Sequence, residues 1–205
     1  MNAENPRSAL LDLLARISFR LGQFKLSSGS TSDYYIDCRT TTLHAEGARL
    51  TGLAILDLLR EHNLHPAAVG GLTLGADPIV SAVAIASAQR SQNDAAAPLI
   101  HGFLVRKAEK THGTGRRIEG FCERGAPVLI VDDVCTTGAS TIAAVEAARE
   151  AGMKVIATVC LVEREEANGR PALEAACRAS GEHVPVLRLF TANDVRAAHL
   201  RQQPA

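Results

Sequence analysis

Residues 127–141, PVLIVDDVCTTGAST, constrain the fold more than any other stretch of the chain. Val128, Leu129, Ile130 and Val131 form an apolar run that ends in the acidic pair Asp132 and Asp133, the pattern of a strand buried on both faces. Thr136, Thr137, Gly138, Ala139, Ser140 and Thr141 then open a helical pattern. This order predicts the C-terminal edge of a parallel strand, where open α/β sheets hold their ligands. The loop offers hydroxyls from Thr136, Thr137, Ser140 and Thr141. Gly138 lets the backbone approach a ligand, and the helix start presents unpaired N–H groups. Such a cradle suits a phosphate dianion. Two carboxylates beside it would repel phosphate, so they are assigned to the vicinal hydroxyls of a sugar or to helping hold a Mg²⁺. A ribose 5-phosphate fits both halves. A hydroxyl-capped turn with no ligand would account for Thr-Thr-Gly alone, but the preceding strand and the adjacent acids favour a site. The stretch is neither a P-loop, which needs Gly-Lys-Ser/Thr, nor a G-x-G-x-x-G dinucleotide turn.

With 205 residues, 46% of them hydrophobic, the chain is long enough for one well-buried α/β domain spanning residues 1–205. The 22 basic and 22 acidic side chains cancel, which argues against a general nucleic-acid or membrane-surface binder and requires any phosphate affinity to be local. Cys38, Cys122, Cys135, Cys160 and Cys177 are odd in number and never form a C-x-x-C pair, so neither a disulfide framework nor a zinc site is indicated. The N-terminal apolar residues are interrupted by Asp12, Arg16 and Arg20, and the apolar stretch 78–88 is too short to span a bilayer. A soluble, cytoplasmic protein is expected.

Leu10, Leu14, Ile17 and Leu21 recur at helical spacing, with Ser8 as the expected cap and Gly22 as the stop. Residues 24–26 and 33–37 read as two short strands joined by a loop, a hood of about 1–40 able to close over a site. Tyr34 and Tyr35 sit in it side by side, and alternation sends one to the core and leaves the other for a ligand. A helix over 45–61 leads to a short buried strand, 67–71, with the glycine-rich exit GGLTLGADP, a turn placed to touch phosphate from the opposite side. Helices over 78–89, 142–151 and 171–178 alternate with strands over 99–105, 155–162 and 186–190. The pattern predicts a doubly wound, mostly parallel five-stranded sheet with a small N-terminal hood.

Residues 106–117, RKAEKTHGTGRR, concentrate basic charge in an otherwise balanced chain. They show no apolar period and contain two glycines, so they read as a mobile loop over 106–119. A solvated charge run is the ordinary meaning of such a segment; beside a phosphate cradle, a lid that meets a leaving pyrophosphate is favoured.

The stretch VLIVDDVCTTGAS resembles the phosphoribosyl pyrophosphate (PRPP) motif of the type I phosphoribosyltransferases. RKAEKTHGTGRRIEG, FKLSSGSTSDYYID, GGLTLGADP and VERE resemble the orotate branch of that family over nearly the whole chain. The resemblance implies that Arg106, Lys110 and His112 hold the pyrophosphate and that Lys107 reaches into a neighbouring subunit's site in a homodimer. It implies that Asp132, Asp133, Val134, Cys135, Thr136, Thr137, Gly138, Ala139 and Ser140 bind the ribose 5-phosphate portion. Thr136 and Arg164 would contact orotate, with Tyr34 and Tyr35 beside the pyrimidine. Mg²⁺ is the implied cofactor, bridging pyrophosphate and sugar with few direct protein ligands. Many relatives carry a lysine where this chain has Ser27. Lys25, two residues away on the same face of an extended segment, is the candidate substitute. A transferase for another base, or a non-catalytic PRPP sensor on the same fold, are the alternatives.

Overall fold

The computed structural model describes residues 5–25, 31–107, 117–178, 181 and 184–203. Helix α1 (Pro6–Ile17) starts on Pro6, with the Asn5 side chain accepting the Arg7 N–H. The cap is thus Asn5 rather than Ser8, and the helix stops short of Leu21. Residues Phe19–Lys25 form strand β1 instead, antiparallel to β2 (Thr31–Ile36). Leu21 fits the helical spacing, but it faces solvent, whereas Phe19 is buried and stacks on Tyr34 at 5.4 Å. Burial of that aromatic pair fixes where the helix must end.

A short helix α2 (Arg39–Thr42) leads to α3 (Ala45–Glu61), β3 (Ala68–Leu72), α4 (Asp77–Asn93), β4 (His101–Val105) and β5 (Ile118–Gly120). Then come β6 (Pro127–Cys135), α5 (Ala139–Glu150), β7 (Lys154–Glu163), α6 (Arg170–Arg178), β8 (Val186–Thr191) and α7 (Ala192–Arg201), with a 3-10 turn at Glu165–Ala167. The main sheet has the order β5-β4-β3-β6-β7-β8. Its five parallel strands are the five expected. A sixth, β5, pairs antiparallel at the edge of β4, and its onset at Ile118 ends the basic loop earlier than 119.

Side-chain alternation along β6 feeds two cores. Leu129 and Val131 join the cluster under α1, α3, α4 and α7, while Val128 and Ile130 join the cluster under α5 and α6. Because both faces are covered, the strand is apolar without interruption, as the sequence shows. After β3 the chain turns through α4 toward β4, and after β6 it turns through α5 toward β7 on the other side. The two exits diverge between neighbouring strands and leave a crevice at their C-terminal ends.

Candidate active site

That crevice is a cavity of about 320 Å³, and residues from five parts of the chain line it. Asp132, Asp133, Val134, Thr136 and Ser140 come from the end of β6 and the loop beyond, Leu72 to Gly75 from the β3 exit, Arg164 from the end of β7, and Tyr35, Asp37 and Arg39 from the hood. Lys107 completes the wall. The two turns approach closely. A side chain at Gly75 would place its Cβ 2.5 Å from Asp133 Oδ1, so glycine lets the β3 exit lie against that carboxylate without displacing it.

The acidic pair is asymmetric. Asp133 faces the cavity and accepts the Val134 N–H at 2.9 Å. Asp132 is only 6% exposed; its Oδ1 accepts the Asp133 N–H at 3.0 Å and its Oδ2 accepts the Thr141 hydroxyl at 2.8 Å. Thr141 therefore supports Asp132 from within the core and is not part of the phosphate cradle. Burial, with the charge of Asp133 next, pushes the Asp132 carboxyl from its ordinary 3.8 up to about 7. An acceptor of sugar hydroxyls works best ionised, so a substrate that uses Asp132 must expel its proton at low pH. The KM for a ribose phosphate donor is expected to rise as pH falls below about 7, with proton release on binding measurable by calorimetry in two buffers of different ionisation enthalpy. A KM flat from pH 8 to 5.5 would count against Asp132 in this role.

In the cradle, Gly138 caps α5 with φ of +79°, a left-handed conformation that glycine adopts without strain. Thr136 and Ser140 reach the cavity, Thr137 Oγ1 lies 3.4 Å from the Ala139 N–H, and Ala139 is the first residue of α5. Cys135 points into the core beneath α5 and α6, as a packing residue does. Behind the loop lies Gly169, which sequence reasoning passed over. A Cβ there would fall on the Thr136 carbonyl oxygen and sit 2.6 Å from the Thr137 carbonyl carbon. Gly169→Ala is expected to displace the cradle, costing about 1–3 kcal/mol of stability and raising the KM for the phosphate-bearing substrate. An unchanged melting temperature and KM would show that the loop yields freely. The Asn168-Gly169 pair, a common turn signal, was the available clue.

Arg164 is 9% exposed and pairs with the half-exposed Glu166, one of the three glutamates that surround it in sequence. Its Nε donates to the Tyr34 hydroxyl at 3.1 Å and to Glu166 Oε1 at 3.0 Å, and its Nη2 donates to Ser32 Oγ at 3.1 Å. The guanidinium also lies over the Tyr34 ring at 4.7 Å. The two tyrosines divide as alternation requires: Tyr34 is buried and does not line the cavity, whereas Tyr35 is 40% exposed and does. Glu163 is buried and clamped by Arg170 at 2.5 Å and Arg188 at 2.6 Å, which fixes the end of β7 from which Arg164 projects.

Other expected residues scatter. Lys25 is exposed at the end of β1, pairs in register with Thr31 and is not on the cavity wall. Ser27, Lys110 and His112 lie outside the described residues. Arg106 turns away from the cavity to pair with Glu119 at 2.9 Å. Lys107 lines its own chain's cavity: consecutive residues at a strand end point to opposite sides, and the inward side falls to Lys107. Arg39, held by Asp37 at 2.9 Å, is a wall residue that sequence reasoning did not single out. All five cysteines are free thiols. Among the described residues no cluster of three or more metal-ligating side chains occurs, and no helix is long and apolar enough to cross a membrane.

A crevice at a parallel-sheet switch point, with an acidic pair, a hydroxyl-rich helix start and a second turn facing them, defines a phosphoribosyltransferase. The family model described as "Phosphoribosyl transferase domain" matches residues 104–178. Orotate phosphoribosyltransferase of Aquifex aeolicus is 41% identical over 92% of this chain and 97% of its own length. The Streptomyces avermitilis enzyme of the same name is 43% identical over 78% and 84%. The crystal structure of Mycobacterium tuberculosis orotate phosphoribosyltransferase in complex with PRPP superposes with a TM-score of 0.69 at 32% identity, covering 93% of this chain and 99% of that one. The chain belongs to the orotate phosphoribosyltransferase family.

Proposed function

We infer that the chain transfers the 5-phosphoribosyl group of PRPP to N1 of orotate, giving orotidine 5′-monophosphate and pyrophosphate in pyrimidine biosynthesis. The observation that carries this reading is one cavity with a phosphate cradle and two carboxylates on one wall and a buried arginine beside an exposed tyrosine on another. The helix start and hydroxyls at Thr136 and Ser140 receive the 5′-phosphate. Asp132 and Asp133 accept the ribose hydroxyls, and Lys107 and the β3 exit face the pyrophosphate. Orotate is a planar anion; Arg164 meets its carboxylate and Tyr35 its ring.

No protein nucleophile is required. Orotate N1, after giving up its proton to solvent, attacks C1 of the ribose as the bond to pyrophosphate oxygen breaks, and the electron pair of that bond leaves with the pyrophosphate. The protein's contribution is alignment of the two substrates, exclusion of water and cationic stabilisation of the departing charge. Asp132 and Asp133 would be the residues to hold a Mg²⁺, a hard ion that favours carboxylate oxygen. When bound, such an ion would neutralise part of the pyrophosphate charge.

Arg164 favours orotate over a neutral base, which has no carboxylate to meet it. A homodimer, working in the cytoplasm, completes the reading. In its support Leu74, on the cavity wall, is 69% exposed, and Leu43 and Ile85 are exposed around α2 and α4, helices that pack together. The test is direct: mixing the protein with orotate, PRPP and Mg²⁺ should produce the absorbance loss that accompanies glycosylation of orotate at N1. Absence of that change, with activity on another base, would reassign the substrate.

A further inference from the structure

We propose that Ser32, Tyr34 and Glu166 are positioning residues that set base specificity by occupying one edge of the Arg164 guanidinium and leaving its end as a two-pronged fork for the substrate's carboxylate. The proposal rests on orotate as the substrate and names what makes the site select it.

A guanidinium presents five N–H donors in a fixed plane. Nε–H and one Nη2–H lie along one edge; the second Nη2–H and one Nη1–H point off the end as a parallel pair. In this structure the edge is filled. Nε donates to Tyr34 Oη and Glu166 Oε1, and Nη2 donates to Ser32 Oγ at 3.1 Å. Among the described residues, Nη1 donates to no acceptor. Arg164 lines the cavity, whereas Ser32, Tyr34 and Glu166 do not, so the three act on a ligand only through the arginine.

Donor and acceptor roles around the edge are fully determined. The Tyr34 hydroxyl donates its only proton to Glu166 and accepts from Arg164 Nε. Burial first, and then the Glu166 carboxylate, push that hydroxyl up to about 12, so it keeps its proton throughout the neutral range. Burial works against the charge on Glu166, but the hydrogen bonds from Tyr34 and Arg164 outweigh it and hold its carboxyl below the ordinary range. Ser32 Oγ accepts from Nη2 and donates to the Tyr34 carbonyl at 2.9 Å. Rotation of any member breaks at least one of these hydrogen bonds. The Tyr34 ring, clamped between Phe19 and the guanidinium, sets the plane in which the fork lies. A rigid fork costs little further entropy when a planar carboxylate docks on it, which is the source of selectivity over a neutral pyrimidine.

Tyr34→Phe keeps the ring and its packing and removes one hydroxyl. It is expected to raise the KM for orotate about tenfold, the weight of one hydrogen bond to a charged group, while the KM for PRPP stays unchanged. Ser32→Ala, at a part-exposed strand position, repeats the test without touching an aromatic contact and should act in the same direction. In an Arg164→Ala background, where the fork is gone, Tyr34→Phe should cause no further rise. A structural role for the hydroxyl would instead give the same increment in both backgrounds or raise both KM values together, and either result overturns the proposal. So does an unchanged orotate KM in Tyr34→Phe. If the wild type itself fails to turn over orotate, the functional reading falls and this proposal falls with it; a fully active wild type with an indifferent Tyr34→Phe sinks the positioning role alone.

Discussion

Asp132→Asn combined with Asp133→Asn is expected to lower kcat by about a thousandfold or more, the scale reached when preorganised groups are removed from a transition state. The fold should survive. Asparagine at position 132 can keep its amide oxygen on the Asp133 position's N–H and donate from its amide nitrogen to the Thr141 hydroxyl oxygen, so both contacts that seat the side chain, at 3.0 and 2.8 Å, can be kept with the second reversed in direction. Stability should even improve in alkaline solution. Asp132 binds its proton up to about pH 7 in the folded chain and only up to about 3.8 when unfolded. Between those values the folded state holds more protons, so this group's contribution to stability falls as pH rises and stays unfavourable above 7. The Asp132→Asn change removes a buried charge there. A melting temperature at pH 8 equal to or above wild type, with turnover lost, is the expected pair of results. Full turnover in the folded double variant would remove the acidic pair from the mechanism.

How much of this was legible in the sequence depends on whether a signal is local. The β6 strand and its loop were readable because burial on both faces leaves an unbroken apolar run and because the ligand groups follow it directly in sequence. The same holds for β7 and for α3, whose bounds coincide with the expected 45–61. Strand β5 was invisible: three residues carry no period, and its pairing partner lies across the basic loop. Helix α7 hid for a different reason, since its buried face is largely Ala192, Val195 and Ala198, and alanine adds little to a hydrophobic pattern. At the site, residue types were legible and directions were not. Arg164 meets Tyr34 and Ser32 across 130 and 132 positions of chain, and nothing at position 34 announces that its hydroxyl faces a glutamate. The Arg106 and Lys107 pair makes the same point: a basic run indicates charge, but which side chain turns inward is decided by the strand it leaves.

Subunit exchange converts that last distinction into a measurable result. Lys107 lines the cavity of its own chain with Asp132 and Asp133, while Arg106 is directed outward to Glu119. If two copies share their sites through the basic loop, the outward residue is the one that reaches the partner. Prepare Arg106→Ala, Lys107→Ala and Asp133→Asn proteins, each expected to lose about a hundredfold or more in kcat, and mix them in pairs under conditions that exchange subunits. Random pairing makes half of the dimers mixed. In the Arg106→Ala and Asp133→Asn mixture, each mixed dimer holds one site with an intact carboxylate from one chain and an intact arginine from the other. Activity should therefore recover to about a quarter of wild type under two-fold symmetry. In the Lys107→Ala and Asp133→Asn mixture, both groups serve the same chain's cavity, so every site in a mixed dimer lacks one of them and no recovery is expected. Recovery in the second mixture and not the first would reverse the roles of the two residues. Recovery in neither, after exchange has been verified by mass, would mean that each chain completes its own site.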